Sequence, residues 1–150
     1  MRKFEVVKDE FRKTTGEITL PTRSDKGSAG YDFYAPYDFV INPGETVFVT
    51  TDVKAAMEED EVLYLYVRSS VGIKKRIVLA NGTGVIDSTY YSNPDNDGNI
   101  IGALTNMSNQ TWEFKKGERF MQGVFQKYLI VDNDAPLNAQ RSGGIGSSGK

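Results

Sequence analysis

The chain has 150 residues, 39% hydrophobic and 25% charged, with a formal net charge of -2. These are the proportions of one globular domain with a real core, and the slight acidity excludes an overall basic field for nucleic acid. There is no Cys and no His, which excludes disulfides, thiolate or imidazole zinc sites, and every triad or general base built on histidine.

Acid–base chemistry therefore falls to Asp, Glu, Lys, Tyr or water. No apolar run approaches the length of a membrane span, and the opening "MRKFEVVKDEFRK" lacks the apolar stretch of a signal peptide, so a cytoplasmic protein with no membrane contact is expected. In chain order, "ITL" runs into Pro21 and the polar loop "RSDKGS", residues 23–28. "YDFYAPYDFVI" stops at Asn42-Pro43-Gly44. "TVFVTTDVKAAM" follows, with Val47, Val49 and Val53 spaced for one sheet face. "VLYLYV" is apolar at nearly every position, the pattern of a strand buried on both faces. "SVGIKKR", residues 70–76, is the best helix candidate, a turn or two long. "IVLANGTGVI", "NIIGALTNM" and "RFMQGVFQKYLIV" complete the set. Val, Ile, Tyr, Phe and Thr fill these stretches, Gly, Asn, Asp and Pro divide them, and no helical period is sustained. An all-β domain over residues 1–137 is expected: a sandwich, jelly roll or barrel with at most one short helix. Residues 138–150 are rich in Gly and Ser, with almost nothing to bury.

Four stretches suggest chemistry. In "GSAGYDFYA", residues 27–35, Gly27 and Gly30 permit unusual backbone angles and Asp32 stands between aromatics; the plain alternative is an ordinary turn or strand-end aspartate. In "VRSSVGIKK", residues 67–75, an apolar strand delivers Arg68, Ser69 and Ser70 to a helical turn. Hydroxyls and N–H groups there suit an anion, but a capping serine beside a surface arginine uses the same groups. In "NGTGVIDSTYY", residues 81–91, Asn81, Gly82 and Gly84 mark a turn or hairpin with exposed backbone. Asp87 follows an apolar pair where strand meets turn, a place for a positioned base or for an Asx turn. The following "SNPDNDGN", residues 92–99, reads as a long polar turn, a plain loop rather than a Ca²⁺ site because the EF-hand spacing is missing. In "KKGERFMQGVFQK", residues 115–127, Gln122 interrupts an apolar run, either as a ligand contact or as a core amide satisfied by backbone.

The terminal "RSGGIGSSGK", residues 141–150, contains most of a phosphate-binding P-loop. A working P-loop joins a strand to a helix and carries Ser or Thr after its Lys. Here the sequence stops at Lys150 in an all-β setting, which removes that reading. Glycine N–H groups, serine hydroxyls and Arg141 still suit an anionic ligand over which the tail folds.

Taken in order, "AGYDF", "RSSVGIK", "GVIDSTYY" preceded by Asn81, "GERFMQGVF" and "RSGGIGSSG" resemble the five motifs of the homotrimeric dUTPases, from about Leu20 to the end. The long "YYSNPDNDGN" version of the third resembles the branch found in low-GC Gram-positive bacteria and their phages. The resemblance implies a jelly-roll-like distorted β-barrel, a homotrimer with active sites at subunit interfaces, and Mg²⁺-dependent hydrolysis of dUTP to dUMP and pyrophosphate. It implies that Asp87 activates the attacking water and that Asp32 holds Mg²⁺ through water. Tyr90 would pack on the deoxyribose and exclude a 2′-hydroxyl. Asn81 and the backbone of the turn and strand, Gly84 and Ile86 included, would read uracil. Arg68, Ser69 and Ser70 match the motif-two phosphate contacts, and Gln122 matches the motif-four substrate contact. Arg141, Ile145, Gly146, Ser147 and Ser148 match the tail, residues 138–150, that closes over the site. A regulatory protein partner is expected if the chain is phage-encoded.

The chemistry fits these residue types. A triphosphate in a net-acidic protein needs local Arg and Mg²⁺, and Mg²⁺ keeps most of its waters, so one carboxylate suffices. Three positions depart from the family. Thr89 stands where a second aspartate is usual, so altered hydrogen bonding in the hairpin is expected rather than lost activity. Ile145 replaces the aromatic over uracil, removing roughly 0.5–1.5 kcal/mol of stacking. Arg76 replaces a usual glycine. A dCTP deaminase of the same superfamily is the nearest rival, but it relies on a glutamate near motif three, and residues 81–99 contain only Asp87, Asp95 and Asp97 as acids. A nucleotide-sensing or partner-binding module on the same fold is the second.

Overall fold

A computed structural model of the chain describes residues 1–137. Eleven strands carry the fold: β1 (Lys3–Val6), β2 (Tyr31–Tyr34), β3 (Phe39–Ile41), β4 (Thr46–Thr50), β5 (Val53–Ala56), β6 (Glu61–Val67), β7 (Ile77–Leu79), β8 (Gly84–Asp87), β9 (Ile101–Asn106), β10 (Trp112–Phe114) and β11 (Arg119–Lys127). All pairings between these strands are antiparallel, in four sheets ordered β1-β5, β10-β3, β2-β11-β6-β8 and β4-β9-β7. The expected jelly-roll-like all-β fold is what the chain adopts, with two corrections. The described sheets do not close into a barrel. Among the described residues three single helical turns are present rather than at most one: 3-10 turns at Asp9–Phe11 and Ser88–Tyr90, and a π turn at Ser70–Lys74 inside the expected 70–76.

Period-2 alternation places the core. Along β9 buried residues alternate with half-buried ones, because one face of that sheet packs inward. Phe33, Ile41, Leu63, Ile77, Leu104, Phe114, Phe120 and Met121 are almost fully buried between the sheets. β6 is buried at Val62, Leu63 and Leu65, but Tyr64 and Tyr66 are half-buried, so one face is only partly covered. Val47, Val49 and Val53 do not share one sheet: Val53 begins β5, which pairs with β1. Among the described residues no helix is long and apolar enough to cross a membrane.

The plain polar loop expected at residues 92–99 is instead structured and partly buried: Ser92, Pro94 and Asp95 are exposed, but the rest is drawn inward. Asn93, Asp97 and Asn99 are almost fully buried. Asp97 accepts hydrogen bonds from Lys54 Nζ and the Lys8 N–H, both at 2.9 Å. Asn99 exchanges hydrogen bonds with Asp52 through backbone and side chain at 2.8 and 3.0 Å. Asp52 itself sits at φ 61° and also accepts from the Lys13 N–H and from the N–H and hydroxyl of Thr14. Burial alone would raise both carboxyls. The donors outweigh it and hold Asp52 and Asp97 below the usual aspartate value. Beside them Tyr91 donates to Glu5, which together with burial pushes the phenol up to about 12. Polar side chains in this loop therefore fasten the N-terminal arm to the domain, a role that composition does not reveal.

Candidate active site

β8 lies against β6 because position 84 is glycine. A Cβ there would meet the Leu65 Cβ at 2.8 Å, too close for any side chain. The turn before it, with Gly82 at φ 75°, joins β7 to β8, and these strands pair in different sheets, so the turn bridges two sheets rather than closing a ladder. Beneath it opens a cavity of about 470 Å³ lined by Asn81, Gly84, Ile86 and Tyr90. The sequence reading missed Phe48, Leu65, Ala80, Ile101 and Ala103, which complete its apolar wall. Asp87 ends β8 and caps the Ser88–Tyr90 turn. The N–H and the hydroxyl of Thr89 both donate to Asp87 Oδ1, at 3.1 and 2.6 Å. The altered hydrogen bonding expected of Thr89 is thus a second donor to the acid, which an aspartate side chain would not supply.

A second cavity, of about 530 Å³, is lined by Asp32, Arg68, Ser69, Ser70 and Gln122, with Ser24 and Ser28 added. Asp32 is neither a turn residue nor a strand end; it lies within β2 and is 8% exposed. Its carboxylate sits between two guanidiniums, 3.2 Å from Arg68 Nε and 3.4 Å from Arg119 Nη1. Ser69 makes no side-chain capping bond to the π turn. Gln122 Nε2 donates to the Val67 carbonyl at 3.3 Å, so the backbone satisfies part of the amide while its side chain lines the cavity. Gly30 faces it, and a Cβ there would lie 2.3 Å from Gln122 Oε1. Arg119 was not singled out from the sequence, because three residues from Gln122 a regular strand points the other way. A register shift between Arg119 and Met121 turns it onto the Gln122 face.

Among the described residues no group of three or more acids could cage a metal. The donor set fits Mg²⁺ nonetheless, because that ion keeps several waters and takes one or two carboxylates plus substrate phosphates. Asp32 is the carboxylate within the serine- and arginine-lined cavity that would hold it. Arg141, Ile145, Gly146, Ser147 and Ser148 lie outside the described residues, as does the P-loop-like stretch.

The two cavities stand at opposite edges of one sheet. Asp32 pairs with Gln122 and Gln122 with Tyr66, whereas Asp87 pairs with Val62. Three interstrand spacings across β2-β11-β6-β8 and four residues along it set the two acids on the order of 20 Å apart. Directly paired residues share a face, so both acids lie on one face, with Tyr64, Tyr66, Val85 and Val124 between them. That face is partly open: Val85 is 58% exposed.

Comparison with known proteins shows what the chain is similar to in sequence and fold. The dUTPase family model matches residues 16–149. The deoxyuridine 5'-triphosphate nucleotidohydrolase of Lactococcus lactis is 44% identical over 150 residues, covering 99% of this chain and 98% of its own. The crystal structure of the Streptococcus mutans dUTPase is 44% identical and superposes with a TM-score of 0.76, over 86% of this chain and 98% of that one. A mutant dUTPase of Staphylococcus aureus phage phi11, described for its coordination of a structural Mg(II) ion, shares the fold at 20% identity and a TM-score of 0.71, covering 93% and 98% of the two chains.

Proposed function

We propose, from the premise that the chain belongs to the dUTPase family, that it hydrolyses dUTP to dUMP and pyrophosphate. One observation carries the reading beyond family membership. An apolar cavity of nucleoside size lies beside the turn that Asp87 caps, at one edge of the β2-β11-β6-β8 sheet, and an arginine- and serine-lined cavity lies at the other edge. Asp87 takes a proton from the water that attacks the α-phosphate, with Thr89 donating to its Oδ1. The backbone around Gly84 and Ile86, with Asn81, hydrogen-bonds uracil, and a cytosine there leaves buried polar groups unpaired. Tyr90 packs on the deoxyribose. Arg68, Ser69 and Ser70 bind the phosphates, and Gln122 contacts the substrate in the same cavity. Asp32 would hold Mg²⁺ through water; when bound, the ion compensates phosphate charge.

A separation of about 20 Å between the acids supports a site shared between copies, since it is longer than a metal-bound triphosphate spans. We therefore place the active sites between subunits of a homotrimer, where Asp87 of one copy meets Asp32 of the next. The outward face with Tyr64, Tyr66, Val85 and Val124 offers apolar surface for such contacts. Residues 1–137 act as the catalytic β domain. Residues 138–150 act as a lid, with Arg141, Ser147, Ser148 and Gly146 on the phosphates and Ile145 over the base. The test is product analysis with Mg²⁺ and dUTP, dCTP, dTTP or UTP in turn. Pyrophosphate and dUMP from dUTP alone are expected; ammonia release from dCTP, or no turnover of dUTP, overturns the reading.

A further inference from the structure

We propose that Asn96, in the partly buried loop after the active-site turn, is a positioning residue that fixes the Tyr90 ring and so sets how strictly the site rejects a ribonucleotide. The inference rests on the reading of the apolar cavity as the nucleoside pocket. Tyr90 is 5% exposed and lines that cavity. Its hydroxyl donates to the Asn99 carbonyl at 2.7 Å and accepts from Asn96 Nδ2 at 2.7 Å. The Asn96 amide has one orientation, because its Oδ1 accepts from the Gly98 N–H at 3.0 Å, which leaves the NH₂ for the phenol. The loop also reaches the Tyr90 backbone. The Asn93 N–H donates to the Tyr90 carbonyl at 3.2 Å. Gly98, at φ 79°, approaches the same carbonyl so closely that a Cβ would lie 2.6 Å from it.

This platform is itself tied down from outside the site. Asn99 is held by Asp52, and Asp97 by Lys54 and the Lys8 N–H. A ring can exclude one hydroxyl from a sugar only if it cannot swing aside, and a phenol with two fixed partners at its tip cannot swing about its Cα–Cβ bond without breaking both. The polar loop thus works as the outer support of a specificity wall, connected to Tyr90 through its hydroxyl.

The experiment compares kcat/KM for dUTP and UTP in full-length protein. Removing the donor with Asn96→Ala lowers the dUTP-to-UTP ratio about three- to tenfold, the size of one buried hydrogen bond. Tyr90→Phe lowers it similarly, and the double variant is no worse than Tyr90→Phe alone, because Asn96 acts through that hydroxyl. An unchanged ratio in Asn96→Ala, or additive losses in the double variant, overturns the proposal. If Asn96→Ala fails to fold, Asn96→Leu removes the donor at nearly constant side-chain size, and the same two criteria apply. Wild-type protein without dUTP turnover overturns the functional reading instead, so the two failures are distinguishable.

Discussion

The two ends of the β2-β11-β6-β8 sheet solve different problems with different materials. The β8 end is apolar, made of Leu65, Ile86, Tyr90 and an exposed Phe48, and it carries one acid at its rim. The β2 end is ionic, with Asp32 held between Arg68 and Arg119 and serines around it. Recognition of a base needs shape and matched hydrogen bonds, whereas binding several phosphate charges in a net-acidic chain needs concentrated cations. The two acids stand on the order of 20 Å apart on one copy, and under the proposed trimeric assembly each copy contributes two half-sites.

The largest effect separates chemistry from binding at the β8 end. Asp87→Asn keeps an oxygen to accept from Thr89 but cannot take a proton. Turnover should fall about 10²–10⁴-fold, while binding of a non-hydrolysable dUTP analogue, measured by calorimetry, stays close to that of the unmodified chain. Near-normal turnover removes Asp87 as the base. The next test joins the two ends. Asp32→Asn alone should also be nearly inactive, having lost the carboxylate for the metal. When the two inactive variants are unfolded together and refolded as a mixture, random assembly of a cyclic trimer gives about a quarter of the sites both native acids, from different copies. Recovery of activity toward that level is expected in a steady-state assay. No recovery means that both acids work within one chain.

The two ends were not equally legible in the sequence. The β8 end is local: Asn81, Gly84, Ile86, Asp87 and Tyr90 fall within ten residues, and a strand with a tight turn brings them together without help from elsewhere. The β2 end depends on pairing between strands nearly ninety residues apart, Asp32 against Gln122. The participants there were visible as residue types, but Arg119 was not, because a bulge reverses its face. The all-β class followed from turn residues and alternation. The failure to close a barrel, and the partial burial of residues 92–99, depend on tertiary contacts that period and composition do not encode. The polarity of "SNPDNDGN" reads as solvent exposure until its partners, Asp52, Lys54 and Lys8, are in place.

That loop supports the β8 end and the N-terminal arm, not the β2 end, which gives a pH test of the contrast. Asp52 and Asp97 have folded-state pKa values below the ordinary 3.8. The unfolded chain therefore binds their protons first as pH falls. Their contribution to stability is complete above the ordinary value and is lost as pH drops through the lowered ones. Thermal unfolding midpoints should decline in that acidic window. Hydrogen exchange at residues 92–99 and Tyr90 should rise there before exchange in β2 and β11. Simultaneous loosening of both ends would show that the loop is no local support.

Arg76 lies on the connector between the ends, after the Ser70–Lys74 turn of the ionic cavity and before β7, which leads to Asn81. Its φ of 57° is left-handed, which accounts for the glycine usual at this place in the family. The conformation is held in place, because the Arg76 carbonyl accepts from the Met107 N–H at 2.9 Å. For a residue with a Cβ this costs about 1–2 kcal/mol. Glycine relieves that strain but adds freedom to the unfolded chain, costing about 0.4–1 kcal/mol in return. Arg76→Gly should therefore stabilise the protein by roughly 0–1.6 kcal/mol in urea unfolding. Arg76→Ala, which keeps the Cβ, should bring no gain. If Arg76→Gly destabilises while Arg76→Ala is neutral, the unfolded-chain term outweighs the strain. If both destabilise, the guanidinium itself holds the connector, and the ends are coupled through that side chain rather than through the sheet alone.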